Sequence, residues 1–316
     1  MAGVSRCYQY PLPERSPEGP LQEKELKMRV VDAHLHLITR EMIENMRKER
    51  GLEEKQIRER RKRLKLPDFE LFDFHTTLKK WLSEFERYHI EKGIFIPFVH
   101  NREEMIALAK VSERFIGFTT LDPTREDADK ILEEDLQAGL RGVKLYPVNY
   151  FFHVNDPQAE KIYPVVEKYK VPVMIHFGLN IGPGSNLLYG NPLDLHPVAL
   201  KYPEVNFIIA HFGCGFAREA LFLAYQCPNI YYDTSSSNAW IRYLPYKTTL
   251  KDIFQRFLEA AGSERLIFGT DSNFFPRGYR YDILQEQKRI LDELRVGEEE
   301  QEKIFGGNIL RLLSLK

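Results

Sequence analysis

Cysteine is scarce in this chain: three in 316 residues, Cys7, Cys214 and Cys227, widely spaced and without a CxxC pair. That count excludes a disulfide framework and fits a reducing compartment. Charge of one sign is lacking too, with 45 Lys and Arg against 46 Asp and Glu. The global field therefore gives nucleic acid or an anionic membrane no reason to bind, and any partner preference must come from a local site. No run approaches the roughly 18 apolar residues of a membrane span, and the first residues lack the apolar core of a signal peptide. The expected location is the cytoplasm. No GxGxxG turn follows the first strand-like run, which argues against a doubly wound dinucleotide-binding sheet.

What is present is 43% hydrophobic residues without a low-complexity tract, enough for a sizeable core. Residues 1–27 carry PLPERSPEGP, rich in proline and charge, and read as an N-terminal arm, with simple disorder the expected state. Residues 28–316 read as a single domain. Within it, residues 41–75 are mostly helix-forming and strongly charged, and read as a helical insertion placed to act as a lid. Its basic run RERRKRLK (58–65) stands among Glu49, Glu53, Glu54 and Glu59, the pattern of a solvated helix face.

Eight short β-rich runs alternate with stretches of helical periodicity: VVDAHLHL (30–37), GIFIPFV (93–99), RFIGFTTLD (114–122), GVKLYP (142–147), VPVMIHFG (171–178), VNFIIAHFG (205–213), NIYYDTSS (229–236) and RLIFGTDS (265–272). Strands alternating with helices make a parallel sheet with right-handed crossovers. Eight such units over this length predict an α/β protein with a (β/α)8 TIM barrel, closed by C-terminal helices from Tyr281 onward.

In such a barrel, polar residues at the C-terminal ends of strands read as catalytic. Side chains alternate along a strand, so His34 and His36 share one face, with Ala33 and Leu35 expected on the other. A histidine pair alone is often just hydrogen-bonded polar surface. Later strand ends add Lys144, His176, His211 and Asp271. Four imidazoles and a carboxylate at one mouth would be costly in an otherwise aliphatic interior unless they hold a metal. This nitrogen and oxygen set suits zinc first, then manganese, iron or cobalt.

The HxH of strand one, single histidines on strands five and six, Asp271 in FGTDS and the closing IFGGNILRLL together resemble the amidohydrolase superfamily, in its amidohydrolase-related branch. That resemblance covers nearly the whole chain from about residue 29. It implies a divalent metal held by His34, His36, His176 and Asp271, with one metal favoured over two. His211 would stand beside it as a proton shuttle or as ligand to a second metal. Asp271 would also take the proton of the attacking water. Binuclear members of the superfamily use a lysine at the Lys144 position as a carbamylated bridge between two metals, and in the amidohydrolase-related branch it can also be an unmodified lysine. It also holds both hydrolases and decarboxylases. The first expectation is a metal-dependent hydrolase of an amide, lactone or ester-like bond; the alternative is a decarboxylase or hydratase of an aromatic or unsaturated acid.

Substrate contacts are expected from the loops: Tyr146, Asn149, Tyr150, Asn180, Trp240, Arg242, Asn273 and Arg277. Arg242 or Arg277 would receive a carboxylate. The glycine- and proline-rich segment 179–192 reads as a mobile or tightly turned loop. The partner expected is a small molecule, with no nucleic acid and no membrane, and the chain is expected to form a homo-oligomer, a dimer first.

Overall fold

The computed structural model describes residues 28–49, 70–180 and 184–315, with scattered positions between 51 and 62. The predicted arm (1–27), most of the 58–65 basic run and the middle of the insertion lie outside the described residues.

Among the described residues, nine strands form two parallel sheets. In the first, β1 (Val31–His36), β2 (Lys92–Ile96) and β3 (Phe115–Gly117) follow in order; in the second run β4 (Thr119–Thr120), β5 (Val143–Leu145), β6 (Val173–Ile175), β7 (Phe207–Ile209), β8 (Ile230–Asp233) and β9 (Leu266–Ile267). β3 and β4 are one predicted strand interrupted at Phe118, whose N–H donates to Phe95 O at 3.0 Å while Thr119 N–H donates to Gly142 O at 2.9 Å. Across the other seam, Ala33 N–H donates to Phe268 O at 3.0 Å and Asp271 N–H to His34 O at 2.9 Å, with a parallel bridge between Leu35 and Ser272. The ladder thus passes from each sheet to the other, giving the α/β architecture that the strand and helix alternation predicts.

The inner face is apolar at depth, lined by Ala33, Ile94, Phe118, Met174 and Ile208, and Ile309 and Leu313 of the C-terminal region pack against it. Polar groups are left to the opposite, C-terminal rim. Outward-facing Phe95, Leu145, Ile175 and Ile209 pack under the helices. Those helices form for local reasons. Leu250–Ala261, for example, buries Ile253, Phe254, Phe257 and Ala261 at helical spacing, and opens with a capping box between Thr249 and Asp252. Thr249→Ala should cost about 1 kcal/mol of stability. A urea denaturation midpoint equal to the wild type would refute that role for the cap.

One expectation is corrected. Val31 and Asp32 pair with Lys92 and Gly93, but Leu35 and His36 pair with Phe95 and Ile96, so β1 carries one extra residue between Asp32 and Leu35. This bulge shifts the alternation. Ala33 therefore joins Val31 in the inner cluster instead of sharing the outer side with Leu35. His34 and His36 still emerge together on the inner side, their ring centroids 5.1 Å apart.

The insertion begins with a helix, Arg40–Glu49, and its two ends are pinned at the rim. Arg40 N–H donates to Phe72 O at 2.9 Å, and Glu70 N–H to Phe275 O at 3.0 Å, beside the loop after β9. Among the described residues, no helix is long and apolar enough to cross a membrane.

Candidate active site

Five strand ends and the loop after β9 bring the polar residues together. The ligand atoms offered by His34, His211 and Asp271 lie within 4.8 Å of one another, the spacing of a metal-holding trio. His36 joins at the edge, with Nε2 3.3 Å from Asp271 Oδ1 and its ring stacked on Phe98 at 4.1 Å. The His176 ring lies 5.1 Å from that of His211.

Each imidazole is fixed through one nitrogen. His34 Nδ1 lies 2.6 Å from Asp233 Oδ2, and His36 Nδ1 lies 2.9 Å from Ile96 O. His211 Nδ1 lies 2.8 Å from Ser235 Oγ, whose hydroxyl donates to Asp233 Oδ2 at 2.7 Å. These partners set the tautomers, leaving Nε2 of His34, His36 and His211 free as an acceptor. His176 differs: its Nε2 lies 3.0 Å from Leu179 O, which leaves Nδ1. Burial, then nearby Lys144, holds His34 well below its ordinary pKa; burial, then His34, brings His211 down to about 4; burial, then His211, depresses His176. Neutral imidazole is the form that binds metal.

Asp233 and Ser235 are residues that the sequence reading missed. DTSS at the end of β8 resembles an ordinary turn, and the signal was its place: a carboxylate at the end of the seventh predicted strand, which together with the second and third lacked a candidate. Fully buried Asp233 accepts from His34, the Ser235 N–H at 2.8 Å and the Ser235 hydroxyl. Its pKa is raised by burial, against the opposing pull of His211 and Ser235. Gly269 makes room for this cluster, since a Cβ there would stand 2.9 Å from the Cβ atoms of His34 and Ser235.

The ends of β6 and β7 hold each other. Leu179 N–H donates to Cys214 O at 2.9 Å, and the Cys214 thiol donates to Leu179 O at 3.1 Å. His211, Phe212 and Cys214 all have positive φ, a strained turn over-determined by these contacts. At Gly178 a Cβ would fall 2.2 Å from Cys214 O. Segment 179–192 is tightly turned in its described part, with Gly178 N–H donating to Gly190 O at 2.9 Å.

Asp271 also has positive φ, 57°, and its side chain is 26% exposed whereas that of His36 is 5%. Burial by itself would raise its carboxyl, but the neighbouring His36 and His211 outweigh it and hold the group well below the usual carboxylate range. Lys144 is fully buried, its Nζ has no hydrogen-bond acceptor among the described residues, and the Tyr146 ring centroid lies 5.3 Å away. Burial lowers its pKa to about 8, opposed by Asp233 and Asp271.

The loop residues divide. Asn180 Nδ2 donates to Asn149 Oδ1 at 3.0 Å, joining the loops after β5 and β6. Tyr150 is half-buried against the core. Tyr146 is buried, its hydroxyl donating to Pro97 O at 3.3 Å, and Trp240 is buried with its indole N–H on Asn238 Oδ1. Arg242 is exposed and donates to Ala239 O at 2.7 Å. Asn273 and Arg277 bond to each other at 2.5 Å.

A profile of the family described as amidohydrolase matches residues 31–315. The protein fluG of Emericella nidulans is 33% identical over 108 residues, a match spanning 34% of this chain and only 12% of that protein. Among solved structures, an uncharacterised TIM-barrel protein from Bordetella bronchiseptica superposes with a TM-score of 0.65 at 22% identity, over 91% of this chain and 99% of that one. An amidohydrolase from Burkholderia multivorans with bound zinc gives 0.63 at 15% identity, over 91% and 100%. The 5-carboxyvanillate decarboxylase of Novosphingobium aromaticivorans, complexed with manganese and 4-hydroxy-3-methoxy-5-nitrobenzoic acid, gives 0.57 at 14%, over 92% and 97%. At these identities the likenesses show the (β/α)8 fold.

Proposed function

The chain belongs to the amidohydrolase family, and from that premise we propose that it is a metal-dependent hydrolase, cleaving an amide, lactone or ester-like bond of a small molecule. The observation that carries this reading is the convergence of His34, His211 and Asp271, with the imidazoles held neutral and each fixed by a second partner. The donor set fits a divalent metal, zinc before manganese, the two ions carried by the relatives described above. When bound there, such an ion supplies Lewis acidity to a carbonyl and lowers the pKa of a water.

The chain's own groups do the rest. Asp271, the carboxylate of this cluster open to solvent, accepts the proton of the attacking water at Oδ1 or Oδ2. His36 and His176 complete the metal's surroundings, and Asp271 passes the proton it has taken on to the leaving group. Asn149 and Asn180, joined across two loops, orient the substrate above the strand ends.

Asp271's exposure favours hydrolysis over decarboxylation, because a hydrolase must admit water to the base. Purified protein of measured zinc and manganese content should hydrolyse members of a panel of lactones, esters and amides. Release of carbon dioxide from aromatic acids without hydrolysis of any panel member would overturn the hydrolytic reading in favour of a lyase.

A further inference from the structure

Two backbone irregularities meet at the mouth: the bulge of β1 between Asp32 and Leu35, and the positive φ of Asp271 beyond β9. One carboxylate joins them. Asp32, fully buried, accepts the His34 N–H at Oδ1 over 2.9 Å and so takes up that backbone donor inside the bulge. Oδ1 also accepts the Thr270 N–H at 3.2 Å, and Oδ2 the Thr270 hydroxyl at 2.6 Å. The Ser272 hydroxyl then donates to Thr270 Oγ1 at 2.6 Å, and Ser272 Oγ accepts the Arg280 N–H at 2.9 Å, where the loop meets the helix Tyr281–Glu293. Asp271 is thus flanked by two side chains tied to Asp32, while its own N–H donates to His34 O at 2.9 Å.

A carboxylate with no exposed surface meets neither substrate nor solvent, so the chemistry proposed above gives Asp32 no part. Burying it is costly unless it is well hydrogen-bonded, and these three donors lie on the two turns that carry His34 and Asp271. A left-handed turn such as that of Asp271 persists only where its surroundings over-determine it. Here His34 is gripped at its N–H by Asp32 and at its carbonyl by Asp271, so the two turns hold one register.

We propose that Asp32 is a positioning residue: by tying the bulge of β1 to the turn after β9, it sets the separation between the imidazole of His34 and the carboxylate of Asp271, and through it the affinity for the metal. This rests on the metal-dependent site proposed above. Asp32 acts through backbone and hydroxyl groups, whereas Asp233 acts on the imidazole nitrogens themselves, so the two carboxylates answer differently to the same substitution. Asparagine at 32 keeps an oxygen for the His34 and Thr270 N–H groups. Its amide can donate to the Thr270 hydroxyl, which then turns to donate to Ser272.

The test compares Asp32→Ala, Asp32→Asn and Thr270→Val, the last of which leaves the bulge its acceptor and cuts only the hydroxyl link to the turn of Asp271. Zinc affinity, from competition with a chelator, should fall about 10- to 100-fold in Asp32→Ala, roughly 3- to 10-fold in Thr270→Val, and stay within about threefold of the wild type in Asp32→Asn. The visible absorption band of the cobalt-loaded protein, which reports the ligand arrangement whatever the stability, should shift in Asp32→Ala and Thr270→Val and return in Asp32→Asn. Wild-type affinity and band in Asp32→Ala, with only a lower unfolding midpoint, would make Asp32 purely structural and overturn the proposal. The same result in Thr270→Val decides it should Asp32→Ala not fold, and an asparagine variant as impaired as alanine counts equally against it. Failure of the hydrolytic reading looks different: a wild type that binds zinc yet hydrolyses no panel member leaves these metal measurements standing, and one that binds neither ion overturns both.

Discussion

Replacing Asp271 by asparagine should lower kcat/KM about 10²- to 10⁴-fold while leaving the protein folded. The size of the loss follows from the place of this carboxylate. It lies 3.3 Å from His36 Nε2, shares the candidate metal cluster with His34 and His211, and remains open to water. An amide of the same shape can neither take a proton nor carry charge at that point. The fold survives for a backbone reason. Residue 271 has φ of 57°, in the left-handed region, and asparagine tolerates that region better than other residues bearing a Cβ. Alanine is the poorer substitution, since its strain would mix with the loss of chemistry. Initial rates on whichever panel compound the wild type hydrolyses, paired with a thermal melt, separate the two effects. Near-wild-type turnover in Asp271→Asn would mean that another group is the base.

The polar residues of the rim were legible because a parallel barrel converts sequence order into geometry. Once eight β-rich runs are recognised, the last residues of each run must meet at one mouth, and His34, His36, His176, His211 and Asp271 stand there. What the alternation rule could not see is the bulge in β1, because an inserted residue changes pairing without changing composition. Ala33 was assigned to the wrong side for that reason alone. The helix Leu195–Lys201 also escaped notice, being seven residues long with Pro197 near its start, too short for a periodic signal. Substrate loops were least legible. Tyr146 and Trp240 look like exposed aromatic contacts in sequence but are buried, and only three-dimensional packing separates Arg277 from Arg242.

The groups around the imidazoles yield the second large effect. Asp233 lies 2.6 Å from His34 through one oxygen and reaches His211 through the Ser235 hydroxyl, so one buried carboxylate orients two of the three residues of the candidate metal site. It accepts from three donors at once: an imidazole N–H, a backbone N–H and a hydroxyl. Asparagine cannot replace it, because its amide nitrogen would face one of those donors as a fourth. The nearest relief is a flipped His34 tautomer, which puts the proton on Nε2 and removes that nitrogen as a ligand. Asp233→Asn should therefore weaken metal binding about 10- to 100-fold, and Ser235→Ala less, because the His34 bond remains. Competition with a chelator of known affinity measures both. An Asp233→Asn protein that holds metal as tightly as the wild type would show that His34 is not a ligand, whatever becomes of turnover, and would shift the centre toward His36 and His176. Graded weakening across the two variants would instead tie metal affinity to the chain of hydrogen bonds running from His211 through Ser235 and Asp233 to His34.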